Sequence, residues 1–214
     1  EANYLYGMLK LHQEDWEAAE AQLAKAIELN PDHPDTYFDH AGALVHLGRD
    51  SEAVQRYSQI LAQNPAFAEA LLARGGALRR LKMSREALDD LQQAVRLAPD
   101  NADAWFQLGN LQHERYAYRD ARECYERAVA LRPDFIEAWF NLGNTCKDNF
   151  QFDQALLAIA GSGRPFSAND LWQVLPDTGR AACGLYFASI TRRRSPQALV
   201  RVGFEPSVNP KAHG

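Results

Sequence analysis

Residues 102–135 read ADAWFQLGNLQHERYAYRDARECYERAVALRPDF, and residues 136–144 begin the same pattern again as IEAWFNLGN. The proline in this stretch is the last of four that recur every 34 residues: Pro31, Pro65, Pro99 and Pro133. The same interval separates two columns of small residues: Ala19, Ala53, Ala87, Ala121 and Ala155, and Gly7, Gly75, Gly109 and Gly143, with Ala41 in place of one glycine. A fixed period of this length is typical of a stacked repeat protein.

Each unit has the residue pattern of a helical hairpin. Apolar residues recur at helical spacing, as in Leu88, Leu91 and Val95, which predicts amphipathic helices. Each proline ends a second helix, and the small residues are expected where two helices approach closely. The aspartates that follow three of the prolines are predicted caps of the next helix: Asp32, Asp100 and Asp134. Because one hairpin cannot bury its apolar face alone, the pattern predicts an all-α, right-handed superhelical solenoid.

These units resemble the tetratricopeptide repeat family, whose pattern has Trp, Leu and Gly in the first helix and Ala, an aromatic residue, Ala and Pro after it. The clearest copy carries that pattern as Trp105, Leu108, Gly109, Ala121, Tyr125, Ala128 and Pro133. The resemblance implies five repeats, at about 1–33, 34–67, 68–101, 102–135 and 136–162. It leaves 163–214 as a tail outside the repeats.

In that family the first helix of each hairpin lines a concave groove that binds a protein or peptide segment. Transferred to this chain, the groove residues are Tyr4, Met8, Phe38, Leu72, Arg79, Arg80, Phe106, Asn110, Phe140, Asn141, Asn144 and Lys147. The aromatic column is expected to anchor a ligand and the asparagines to bond its backbone. Alternatively, the aromatic residues pack against the second helix of a hairpin. An acidic column also begins each first helix, and its alternative role is to complement the helix dipole: Glu1, Asp35, Glu69, Asp103 and Glu137.

Two narrower functions follow from the same comparison with the family. Asn141 with Asn144, and Gln107 with Asn110, are partly similar to the asparagine-lined groove of O-linked N-acetylglucosamine transferases. The chain is therefore alternatively the substrate-recruiting arm of a larger enzyme such as a glycosyltransferase. A clamp for chaperone C-termini is not expected, because no lysine or arginine stands beside the asparagines at the positions where that clamp needs them.

Composition limits the remaining function classes. The chain has 214 residues, 46% of them hydrophobic, and a formal net charge of −5, with 25 acidic against 16 basic residues up to residue 162. An acidic repeat body opposes binding to nucleic acid, and no apolar run is long enough to enter a membrane as a helix. Three scattered cysteines, Cys124, Cys146 and Cys183, do not form a disulfide framework. A reducing compartment such as the cytoplasm is favoured.

No residue pattern indicates catalysis, a metal or a cofactor. His12 and His46 are one repeat apart and too distant to share a metal ion, and the glycines of 161–163 lack the phosphate-binding pattern. We therefore predict a non-catalytic interaction scaffold with no cofactor.

The tail differs in composition from the repeats. It loses the 34-residue period and turns basic, with Arg192, Arg193 and Arg194 in one run. Segments 168–175 and 181–190 are predicted helices that cap the last repeat, and part of a downstream domain or a disordered extension are the alternatives. An apolar face near Tyr4 also predicts possible self-association through an exposed end of the solenoid.

Overall fold

A computed structural model describes residues 1–31 and 33–148, with side chains described to residue 146, and in this part of the chain all regular secondary structure is α-helical. The nine helices are α1 Ala2–His12, α2 Trp16–Leu29, α3 Pro34–His46, α4 Asp50–Gln63, α5 Ala68–Arg80, α6 Ser84–Leu97, α7 Ala102–Glu114, α8 Tyr118–Leu131 and α9 Ile136–Asp148. They divide between two compact units, Glu1–Pro133 with α1 to α8 and Asp134–Gly214 with α9. The predicted tail helices lie outside the described residues.

The first unit is a stack of four helical hairpins. Each helix from α1 to α7 packs against the next helix along the chain, so the second helix of one hairpin also packs on the first helix of the following one. The core is made mainly of alanine and leucine, such as Ala41, Leu44, Leu78, Leu91 and Leu111. These residues form two apolar clusters, each of which spans neighbouring hairpins and could not be buried by a single hairpin.

A tight turn with a left-handed residue joins the two helices of each hairpin. Each of the four hairpins has one residue with a positive φ, and these residues are again 34 positions apart: Glu14, Gly48, Lys82 and Tyr116. At Gly48 the conformation carries no side-chain penalty, whereas the other three residues adopt it with a Cβ present. The period therefore fixes the turn geometry although the turn residues share no chemistry.

The predicted cap of α7 is wrong, and the predictions for Asp32 and Asp134 stay untested. Asp32 lies outside the described residues, and α7 is capped by Asn101 rather than by Asp100, because the Asn101 Oδ1 accepts from the backbone N–H groups of Asp103 and Ala104 at 3.0 and 3.1 Å. Asp15 caps α2, where its carboxylate accepts from the Ala18 N–H at 3.3 Å. The cap of α7 thus stands one residue later than the sequence predicted.

The prediction that the glycine column marks close helix packing is confirmed. A Cβ placed on Gly7 or on Gly75 would lie 2.7 Å from the Cγ of Leu23 or Leu91, and one on Gly109 would lie 2.7 Å from the Tyr125 ring. Carbon atoms do not approach this closely. Only glycine lets α1, α5 and α7 lie against the second helices of their own hairpins.

Two of the hairpin interfaces contain polar groups where leucine is typical. Leu108 is buried in the fourth hairpin, and the same position holds His40 in the second and Arg74 in the third. The Arg74 guanidinium donates two 2.7 Å hydrogen bonds to the Asp90 carboxylate and one of 3.0 Å to the Ser58 hydroxyl. The ion pair with Asp90 lies within the third hairpin, and the hydrogen bond to Ser58 on α4 joins Arg74 to the second hairpin.

His40 is a buried imidazole in the interface between the first two hairpins. Its Nε2 lies 3.4 Å from a Glu20 carboxylate oxygen, and its Nδ1 has no hydrogen-bond partner among the described residues. Burial lowers the pKa of His40, and the Arg56 and Arg49 cations act in the same direction, while Glu20 opposes them. The neutral imidazole is therefore the form that the folded chain prefers.

We expect the free energy of unfolding to fall as the pH drops from 7.5 to 5. The pKa of His40 is lower in the folded chain than the ordinary 6.5 of an unfolded chain, so the unfolded chain binds the extra proton. The contribution of the neutral, buried His40 to the free energy of unfolding is therefore present above pH 6.5 and is lost as the pH falls below that value. Urea unfolding at several pH values measures this effect. His40→Leu should flatten the profile, whereas the exposed-site control His12→Gln should leave it unchanged, and equal slopes in the two variants would contradict the assignment.

Candidate functional site

The first helices of the hairpins line one face of the first unit. Beyond the contacts between consecutive helices, α1 contacts α3, α3 contacts α5 and α5 contacts α7, while the second helices of the described hairpins make no comparable contact with one another. Equivalent helices lie closer together on the concave side of a curved stack. We call this face of α1, α3, α5 and α7 the first-helix groove.

The predicted aromatic column of the groove is half-buried. Tyr4, Phe38, Leu72 and Phe106 each keep part of their surface in contact with solvent. Phe38 packs against Tyr57 and Phe67, with ring centroids 5.7 and 5.5 Å apart. These side chains therefore both contribute to the core and present apolar surface to the groove, so the two interpretations of the sequence are compatible.

The middle of the groove has a floor without side chains in two adjacent repeats. Gly42 and Gly76 stand at the position that Met8 occupies in α1 and Asn110 in α7. A Cβ on Gly42 would meet no atom within 4 Å, and one on Gly76 would meet only an Arg80 guanidinium nitrogen at 4.0 Å. Packing does not require these two glycines, in contrast to Gly75 or Gly109.

The tyrosine beneath this floor differs from its counterpart two repeats later. Tyr125 donates its hydroxyl hydrogen bond to the Asn110 Oδ1 at 2.8 Å, so Asn110 uses that oxygen inside the chain rather than keeping it for a ligand. Tyr57 is the equivalent residue below Gly42, is 3% exposed, and forms no hydrogen bond with any described residue. Burial raises the pKa of Tyr57 to about 12, so its hydroxyl remains a donor.

The two arginines of the predicted groove, Arg79 and Arg80, are already paired with carboxylates of the chain. Arg80 donates to both oxygens of Asp50 at 2.7 to 3.1 Å, and Arg79 pairs with Glu114. The sequence does not show these pairs, because each joins neighbouring repeats. Arg79 and Arg80 are thus in place at the groove, but a partner's carboxylate would have to displace one from this chain.

Three groove carboxylates have no cation of their own. Asp35, Asp39 and Glu69 form no ion pair with a described residue. Asp39 accepts a 3.2 Å hydrogen bond from the Tyr4 hydroxyl, and its pKa is raised, chiefly by burial and also by Asp35. The α1–α3–α5 part of the groove is therefore acidic.

The remaining predicted groove residues lie on α9, in the second unit. Phe140 is 48% exposed, and the Asn141 carbonyl oxygen accepts a 2.7 Å hydrogen bond from the Thr145 hydroxyl of the same helix. Asn144 lies on the same helix, and the side chain of Lys147 is outside the described part of the chain. The roles of these four residues in a groove, and their likeness to glycosyltransferase repeats, stay predictions.

The part of the chain that the structure describes has no side-chain arrangement typical of a metal site or of a membrane span. It contains no group of three or more His, Cys, Asp or Glu side chains arranged for a metal ion, and none of its helices has the length and apolar character to cross a membrane. Cys124 and Cys146 are buried, and burial raises the pKa of Cys124 to about 12. That thiol stays protonated and is a poor nucleophile.

Comparison with protein families identifies the repeats. A tetratricopeptide repeat family matches residues 10–75, and a second family described as TPR repeat matches residues 85–115 and 117–149. Together these matches span more than half of the chain. The chain belongs to the tetratricopeptide repeat family. Such repeats generally mediate interactions between proteins, and a comparison with curated proteins found no match.

Solved structures share this tetratricopeptide repeat fold. MamA (41-end) from Desulfovibrio magneticus RS-1 is 23% identical, with a TM-score of 0.69 over 75% of this chain and 93% of that one. TTC0263 from Thermus thermophilus is 20% identical, with a TM-score of 0.62 over 81% and 95%. PilF from Pseudomonas aeruginosa is 22% identical, with a TM-score of 0.68 over 79% and 78%. These likenesses establish the solenoid fold and nothing about the ligand.

Proposed function

We propose that this chain is a non-catalytic scaffold that binds an extended segment of another protein in the first-helix groove. The observation that carries the proposal is the half-buried column of Tyr4, Phe38, Leu72 and Phe106 beside the open floor at Gly42. Apolar surface in a row, next to space that the chain does not fill, is what a peptide anchored by its side chains requires.

The spacing of the column suits an extended peptide. Packed helices lie about 8–10 Å apart, and a peptide extended in the polyproline II conformation advances about 3.1 Å per residue and repeats its side-chain direction every three residues. Every third side chain of a ligand would therefore meet the next member of the column. The peptide's backbone would pass over the floor, where the absence of side chains allows close approach.

Selection from a random peptide library displayed on phage tests the proposal. We expect selected peptides to lose affinity for a blocked variant, Gly42→Leu/Gly76→Leu, by about tenfold or more, because the new side chains fill the floor. The matched control is Gln55→Leu/Asp89→Leu, which adds leucine at two exposed positions one repeat apart on α4 and α6. Cooperative melting curves with midpoints no lower than that of the wild-type chain establish that both variants fold. Peptides that bind the blocked variant as tightly as the wild-type chain would refute a ligand site in the groove.

A further inference from the structure

Tyr57 is a buried side chain whose polar end has no partner among the described residues. It is 3% exposed, and its hydroxyl lacks the acceptor that Asn110 gives to Tyr125, since Gly42 has no side chain. The charged groups that influence its hydroxyl are Arg80 and Asp39, both on the groove side. The equivalent hydroxyl of Tyr125 reaches the side chain at the position of Gly42, so the Tyr57 hydroxyl lies at the groove floor. It is not sealed inside the core, and it has no acceptor among the described residues, so a ligand in the groove can supply one.

Gly42 and Gly76 point to the same place for a different reason. Glycine inside a helix is less stable than alanine, and neither residue adopts a positive φ or touches a neighbouring side chain closely. The remaining advantage of glycine is the close approach of another backbone. Gly42 is partly exposed with nothing near its Cβ position, whereas Gly76 is buried beside the Arg80 side chain. The space above Gly42, next to Tyr57, is thus shaped for a peptide backbone.

The charge of this part of the groove selects the ligand. Its two cations, Arg79 and Arg80, are neutralised by Glu114 and Asp50, whereas Asp39 receives only the Tyr4 hydroxyl. Its neighbours Asp35 and Glu69 lack a cation among the described residues as well. A cationic side chain would relieve this concentration of negative charge, and an acidic one would be repelled.

We propose that the segment bound in the groove is basic: a lysine or arginine side chain pairs with Asp39, and a backbone carbonyl beside it accepts the Tyr57 hydroxyl hydrogen bond above Gly42. This inference rests on the proposed function and adds the chemistry of the partner. Apolar residues on either side of the cation would contact Phe38 and Leu72. Burial is the main cause of the raised pKa of Asp39 and Asp35 adds to it, while the Tyr4 hydrogen bond and His33 oppose it.

Two synthetic peptides test the inference by NMR titration of the isotope-labelled full chain. One is the acetylated, amidated octapeptide LKALKALK, whose leucines recur every third residue with a lysine between them, and the other has glutamate in place of lysine. We expect the lysine peptide to bind at least about tenfold more tightly and to shift the amide signals of Gly42 and Gly76. Tyr57→Phe should weaken its binding about fivefold and Asp39→Asn about tenfold, as for the loss of one hydrogen bond and one ion pair.

Tyr125→Phe is the matched control, because the Tyr125 hydroxyl already bonds Asn110, and it should leave the affinity unchanged. Equal or tighter binding of the glutamate peptide, or wild-type affinity in both Tyr57→Phe and Asp39→Asn, would overturn the inference. If phage-selected peptides still require the open floor in that case, the proposed function stands without it. If the selected peptides ignore the blocked floor, the proposed function fails and this inference fails with it.

Discussion

Asp90→Ala is expected to lower the free energy of unfolding by about 3 kcal/mol, as measured by urea denaturation. The substitution leaves the Arg74 guanidinium between the second and third hairpins without the carboxylate that accepts two of its hydrogen bonds. The Asp90 side chain is 8% exposed and that of Arg74 is 23% exposed. Water therefore screens the orphaned cation only in part, which places the loss at the low end for a broken buried ion pair.

A double variant distinguishes this electrostatic cause from a loss of packing. The fourth hairpin holds Leu108 and Cys124 at the positions of Arg74 and Asp90, and both are buried in an apolar cluster. Arg74→Leu/Asp90→Cys copies that pair, and we expect it to unfold within about 1 kcal/mol of the wild-type chain. Ser58 stays satisfied because its hydroxyl donates to the Val54 carbonyl at 2.7 Å. A double variant as unstable as Asp90→Ala would show that the loss does not come from the unpaired arginine.

Two adjacent glycines are expected to respond to substitution with opposite signs. Gly75→Val should lower the free energy of unfolding by about 3 kcal/mol, because its Cβ alone would lie 2.7 Å from the Cγ of fully buried Leu91. Gly76→Ala should raise it by about 0.5–1 kcal/mol, because the methyl group would meet only the end of the Arg80 side chain, at an ordinary contact distance of 4.0 Å, and alanine is the better helix former. Thermal and urea unfolding of both variants measure the two effects.

The two glycine variants also distinguish the two roles of glycine in this fold, close helix packing and an open groove floor. Gly75 belongs to the packing column, and Gly76 belongs to the floor of the first-helix groove. A destabilised Gly76→Ala variant would mean that the floor is constrained by the chain itself, and the case for a ligand above it would lose its structural basis. The same substitution at Gly42, which has still more space, serves as the second copy of the test.

The sequence was sufficient to predict the helical hairpins and their packing glycines, because both repeat every 34 residues. The contacts of Arg79 and Arg80 could not be predicted in this way. They depend on Glu114 and Asp50, which come from neighbouring repeats and lie outside the repeating columns. Asn101 replaced Asp100 as a cap for a similar reason, since a one-residue choice between neighbouring polar side chains is decided by local geometry.

The special position of Tyr57 was missed because the period makes it look equivalent to Tyr125. The difference lies in the facing helix, where Gly42 replaces the acceptor that Asn110 provides. Comparing residue pairs between repeats, rather than single columns, would have revealed a tyrosine without its partner. In a repeat protein the fold follows from what the units share, and the candidate site follows from where one unit departs from the others.

The most direct test of the central claim is paramagnetic relaxation from a spin-labelled, phage-selected peptide bound to the isotope-labelled chain. The label broadens amide signals within its range and so reports which face the peptide occupies. We predict strong broadening at Gly42 and Gly76 on the first helices and little at Gln55 and Asp89, which are exposed on α4 and α6. Broadening confined to the second helices, with the signals of Gly42 and Gly76 unaffected, would contradict a ligand site in the first-helix groove.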